Sequence, residues 1–142
     1  MFQPQFILMK KPLRNKPQKD HTMLKRILVL DDNQHILDMV EEALTYEKFQ
    51  VLITSDSDNL IEIAKIFQPD LFILDGRLAG YKNDHICRQI KWHPLFGNTP
   101  VMLCSYYHQS ETDFSAIPCD DIISKPFGLE ELVSKVNNLI LG

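Results

Sequence analysis

From Lys25 onward the chain switches repeatedly between two hydrophobic patterns. Short apolar runs fall at Arg26–Leu30, Val51–Thr54, Leu71–Leu74, Val101–Cys104 and Asp121–Ser124. Each is too short for a helix and predicts a β-strand. Their apolar positions are continuous rather than alternating, as in parallel strands covered on both faces. Between the runs, apolar residues recur at helical spacing. Ile36, Leu37, Val40, Ala43 and Leu44 share one face, and Leu60, Ile61, Ala64 and Phe67 another, with Pro69 as the stop. Ile86, Cys87 and Ile90 make a third face, and Leu129, Leu132, Val133, Val136 and Ile140 the last. Glu130 and Glu131 fall in the first turn of that last helix, where acids suit the helix dipole. The segment Gln109–Pro118 is polar and short, so the fourth helix is expected to be reduced to a turn or two. Five βα units predict an α/β fold: a doubly wound, open parallel sheet with right-handed crossovers.

Composition bounds the picture. The 142 residues fit one domain, and 44% hydrophobic with 24% charged content is ordinary for a globular protein. Residues 1–24 hold Pro4, Pro12 and Pro17, five bases (Lys10, Lys11, Arg14, Lys16, Lys19) and one acid (Asp20). They are expected to be a disordered extension, with the domain at 25–142 and a possible natural start at Met23. The head carries +4 and the whole chain -4, which leaves -8 for the body. So acidic a body argues against nucleic-acid binding by the core. No run approaches the ~18 residues of a membrane span. Cys87, Cys104 and Cys119 form no pair at scaffold or metal spacing, which predicts a reducing, cytoplasmic setting. The five histidines are scattered, against zinc chemistry.

In such a sheet, ligands bind beyond the carboxyl ends of the strands. Strand one runs into Asp31-Asp32, strand three ends in Asp75, strand four in Ser105 and strand five in Lys125-Pro126. Each residue has a bland reading: Asp32 as a helix cap, Asp75 as a turn residue, Ser105 bonded to its own backbone, Lys125 as a surface charge. Together they form one rim. Three carboxylates call for a hard divalent cation, Mg²⁺ above all. A cation beside a carboxylate invites a phosphoryl group, which Lys125 and Ser105 would bind while Asp75 attacks phosphorus. If Asp31 and Asp32 merely repel, Asp32→Ala is expected to stabilise the metal-free fold.

The pieces "RILVLDDN" (26–33), "PDLFILDGRLAG" (69–80), "ICRQIK" (86–91), "TPVMLCS" (99–105) and "ISKPF" (123–127) together resemble the response-regulator receiver domain of two-component signalling. The resemblance implies a flavodoxin-like receiver fold with strand order 2-1-3-4-5. It implies phosphoryl transfer to Asp75 from a histidine kinase or a histidine phosphotransfer protein. Mg²⁺ would be held by Asp31, Asp32, Asp75 and the main-chain carbonyl of Arg77, with Ser105 and Lys125 binding phosphoryl oxygens. Such a domain catalyses only its own phosphorylation and dephosphorylation. With no output domain after the last helix, output is expected through a downstream partner or a phosphorelay, with a homodimer possible.

Several positions depart from the family pattern: Ala79 stands for Pro, Asn83 for Gly, Tyr106 for a small residue and Ile122 for an aromatic switch residue. Arg77 is expected to screen the phosphoryl from water, against an alternative in which it points away. Two other readings remain: a phosphorylation-independent binding module of the same fold, and a Mg²⁺-dependent phosphatase, which the lack of a D-x-D-x-T pattern disfavours.

Overall fold

The computed structural model describes residues 23–79, 85–106 and 117–142. The elements are β1 (Arg26–Leu30), α1 (Gln34–Tyr46), β2 (Gln50–Thr54), α2 (Leu60–Phe67), β3 (Leu71–Asp75), α3 (Gly76–Ala79), α4 (His85–Lys91), β4 (Val101–Tyr106), β5 (Asp121–Lys125) and α5 (Leu129–Leu141). All the strand pairs are parallel, and the sheet order is β2-β1-β3-β4-β5, as expected.

Strand side chains alternate between faces, so a continuous apolar run feeds two layers. Ile27 and Val29 of β1, with Leu71 and Ile73 of β3, pack against Leu37, Val40 and Leu44 of α1 and Leu132 and Val136 of α5. Leu28, Leu30, Phe72 and Leu74 face the other way, onto Leu60 and Ala64 of α2 and Cys87 and Ile90 of α4. All five residues of β3 are buried. The expectation of burial on both faces fails for β2, an edge strand whose Gln50 and Leu52 are exposed.

Two strands run further than their apolar residues. Ser105 pairs with Ser124 and Tyr106 with Lys125, so the backbone ladder of β4 and β5 continues into the polar rim. The helical turn α3 is too short for periodicity to reveal. α2 ends at Phe67, where Gln68 adopts a left-handed conformation (φ 55°) and its N–H donates to the Ala64 carbonyl at 2.7 Å. Residues 1–22 of the expected extension, Asn83, and residues 109–116 of the expected short helix lie outside the described residues. No helix among the described residues is long and apolar enough to cross a membrane.

Candidate functional site

The chain winds to opposite sides from β1 and from β3, so a crevice opens at the carboxyl ends of these two neighbours. Asp31 follows β1 and Asp75 ends β3. The local backbone fixes both carboxylates in the same way. The Asn33 N–H donates to Asp31 Oδ1 at 2.9 Å, and the Arg77 N–H donates to Asp75 Oδ1 at 3.2 Å. Thr54 at the end of β2 repeats the device, accepting the Asp56 N–H at 3.0 Å. A short polar side chain that bonds the backbone two residues on closes a turn, which is why these strands stop in such residues.

Asp32 is not the helix cap. Asn33 caps α1, its Oδ1 accepting the N–H groups of His35 at 2.9 Å and Ile36 at 3.3 Å. The side chain of Asp32 is thereby left to the rim. One carboxylate oxygen each from Asp31, Asp32 and Asp75 lie within 4.8 Å of one another.

Lys125 reaches this group from β5. Its Nζ donates to Asp31 Oδ2 at 3.0 Å and to Asp75 Oδ1 at 3.4 Å, with all three side chains buried. Burial alone would lower the Lys125 pKa. The Asp31 hydrogen bond and the charges of Asp75 and Asp31 outweigh burial and hold the Lys125 pKa above its ordinary value. Burial pushes the Asp75 carboxyl above the usual carboxylate value; Lys125 opposes this, Asp31 adds to it, and the Arg77 N–H and guanidinium oppose it. The neighbouring Cys104 thiol is driven up to about 12 by burial, so it serves as an inert core residue.

Two buried polar atoms at the rim, Asp75 Oδ2 and Ser105 Oγ, make no hydrogen bond among the described residues. Asp75 pairs in register with Cys104, so Ser105 stands one residue beyond it on the adjacent strand. A buried polar atom without a partner costs about 1–3 kcal/mol. An oxygen-rich set with a buried acceptor to spare fits a hard cation and a phosphoryl group.

Arg77 does not point away. Its guanidinium donates to Asp32 Oδ1 at 3.0 Å and Oδ2 at 2.9 Å, and lies 3.6 Å from Asp75 Oδ2. Asp32 therefore has a cation of its own, which removes the basis for a stabilising Asp32→Ala. Spacing alone gave no sign of this pair, whose members are 45 positions apart. Tyr106 is half-exposed, and its ring centroid lies 5.4 Å from Lys125 Nζ, an attractive cation–π contact rather than simple bulk. Ile122 packs against the buried cluster of Phe72, Leu74 and Leu103, a core role rather than a place among the charges.

Residues 27–137 match the family model of the response regulator receiver domain. The sensory transduction protein BceR of Halalkalibacterium halodurans is 29% identical over 117 residues, covering 81% of this chain and 49% of that protein. The chain spans about half the length of the curated relatives it matches. Among solved structures, the chemotaxis protein CheY4 of Vibrio cholerae superposes with a TM-score of 0.73 at 18% identity, covering 82% of this chain and 99% of that one. The receiver domain of the sensor histidine kinase PA1611 from Pseudomonas aeruginosa, described with a magnesium ion coordinated in its active site cleft, gives 0.73 at 20% identity, covering 84% and 100%. With a matching family model over most of its length and this strand order, the chain belongs to the receiver-domain family of two-component response regulators.

Proposed function

We propose that residues 25–142 form a phosphorylation-dependent switch in which Asp75 accepts a phosphoryl group from a histidine kinase or a histidine phosphotransfer protein. The observation that carries this reading is the presence of two buried polar atoms at the ends of adjacent strands, Asp75 Oδ2 and Ser105 Oγ, neither with a hydrogen bond among the described residues, near the Lys125 ammonium that contacts Asp75. In the transfer, an Asp75 oxygen bonds to phosphorus as the phosphorus–nitrogen bond of the donor phosphohistidine breaks, and the bonding pair stays on the imidazole, which takes up a proton from solvent. Lys125 would release Asp75 to pair with a phosphoryl oxygen, and Ser105 would donate its hydroxyl to another. Asp31, Asp32, Asp75 and the Arg77 main-chain carbonyl are the groups we assign to Mg²⁺. When bound, the ion neutralises charge on the transferring phosphoryl oxygens. The magnesium described in the PA1611 receiver domain supports that assignment. Movement of Ser105 and Lys125 on phosphorylation would alter the surface offered to a downstream partner, a second copy or a relay protein in the cytoplasm.

A phosphorylation-independent binding module is the second reading. Its support is that Arg77 and Lys125 already pair with the rim carboxylates, and that Tyr106 lies against Lys125. Incubation with acetyl phosphate and Mg²⁺ separates the two. The switch gains the mass of one phosphoryl group in the native protein and none in Asp75→Asn. An unchanged intact mass in both would favour the binding module.

A further inference from the structure

Three carboxylates at the rim meet two cations held in different ways. Lys125 is 6% exposed and is clamped between Asp31 and Asp75. Arg77 has a side chain 52% exposed and reaches back from α3. One guanidinium nitrogen donates to both oxygens of Asp32, at 3.0 and 2.9 Å. The same guanidinium nitrogen stands 3.6 Å from Asp75 Oδ2, an oxygen with no hydrogen bond. It therefore spans the end of β1 and the end of β3, contacting two of the three residues whose oxygens gather within 4.8 Å.

Charge balance at the rim constrains how an ion can enter. Among the described residues, with Lys125 and Arg77 in place, the three carboxylates leave the cluster one charge negative. Adding a divalent cation would make it one charge positive, with a guanidinium and the ion sharing the same oxygens. If Arg77 swings into solvent as the ion enters, the cluster is neutral. Asp32 is itself 47% exposed, so a half-exposed Arg77 has water to swing into.

We infer that Arg77 is a built-in counter-cation that competes with Mg²⁺ for Asp32 and Asp75, and so sets the metal affinity of the site. The inference rests on the Mg²⁺ assignment above. The metal-free site is held shut by its own chain, and Arg77 must give up Asp32 before the ion takes it. An Arg at this position thus trades metal affinity for a well-ordered metal-free rim.

Calorimetric titration of Mg²⁺ into the native protein, Arg77→Ala, Arg77→Met and Arg77→Lys tests this, with thermal unfolding of each recorded with and without the ion. Arg77→Ala and Arg77→Met should bind Mg²⁺ about two- to fivefold more tightly, the scale expected when a half-exposed ion pair no longer has to be broken. Arg77→Lys, which keeps the charge but replaces the planar guanidinium with a more strongly hydrated ammonium, should fall between. The Mg²⁺-induced rise in Tm should be larger in Arg77→Ala than in the native protein, while the metal-free Tm is equal or lower. Equal affinities in all four proteins would overturn the competition. So would an Arg77→Ala whose Tm falls by the same amount with and without Mg²⁺, since that is the mark of a purely structural ion pair. No binding to any of the four would overturn the Mg²⁺ assignment itself, and the competition with it.

Discussion

Lys125 stands between two buried carboxylates, so its removal has a calculable sign. Lys125→Met leaves Asp31 and Asp75 facing each other with no cation between them. Breaking a buried pair in this way costs about 3–5 kcal/mol, which urea unfolding at neutral pH would measure. The folded-state pKa of Lys125 lies above its ordinary value of 10.5. The stability it contributes is therefore complete below that value and is lost as pH rises through the folded value. Asp75 also loses stability as pH rises, but for this carboxylate the shift is a penalty at neutral pH rather than a gain. Its pKa is raised from 3.8, so its penalty is absent in acid and grows as pH rises through the folded value. Asp75→Asn is expected to melt at a higher temperature than the native protein at neutral pH without divalent cations. That gain should shrink as pH is lowered toward 3.8. Asp31, Asp32, Asp75, Ser105 and Lys125 were legible in the sequence because each ends or follows an apolar run at one edge. The Arg77–Asp32 pair was not, because spacing does not encode where a long, flexible side chain folds back. The Asn33 cap carried a signal, an Asn directly before the first residue of a helical pattern, that the adjacent Asp32 obscured.

At the level of elements, the start of α1 separates the two neighbours. Asn33 supplies the cap bonds, so Asn33→Ala should destabilise the metal-free protein by about 0.5–2 kcal/mol. Asp32→Ala removes only a half-exposed ion pair and should stay within about 1 kcal/mol of native. Chemical denaturation of the two variants side by side gives the comparison, and a reversed order would return the cap to Asp32. The longer helices were readable from the helical period of their apolar positions, and all five strands from their short continuous apolar runs. Where that signal fades, so did the reading. α3 is four residues long, and the polar ends of β4 and β5 pair through backbone that side-chain hydropathy does not report. The exposed face of β2 follows from its place at the sheet edge, which an apolar run alone does not announce.

Across the whole molecule, the order β2-β1-β3-β4-β5 does the positioning. It sets β1 beside β3, so that carboxylates distant in sequence meet at one crevice, and it places β5 close enough for Lys125 to reach across β4. The sheet order came from the family resemblance, while parallel pairing and the rim of polar strand ends followed from hydropathy and topology. On the function we propose, this architecture makes Asp75 a phosphoryl acceptor. The most direct measurement is to phosphorylate the protein with acetyl phosphate and Mg²⁺, reduce it with borohydride, and map the peptides by mass. An acyl phosphate on Asp75 is expected to appear as homoserine at position 75, absent when the metal is chelated beforehand. Homoserine at another carboxylate, or none anywhere with Asp75 intact, would contradict it.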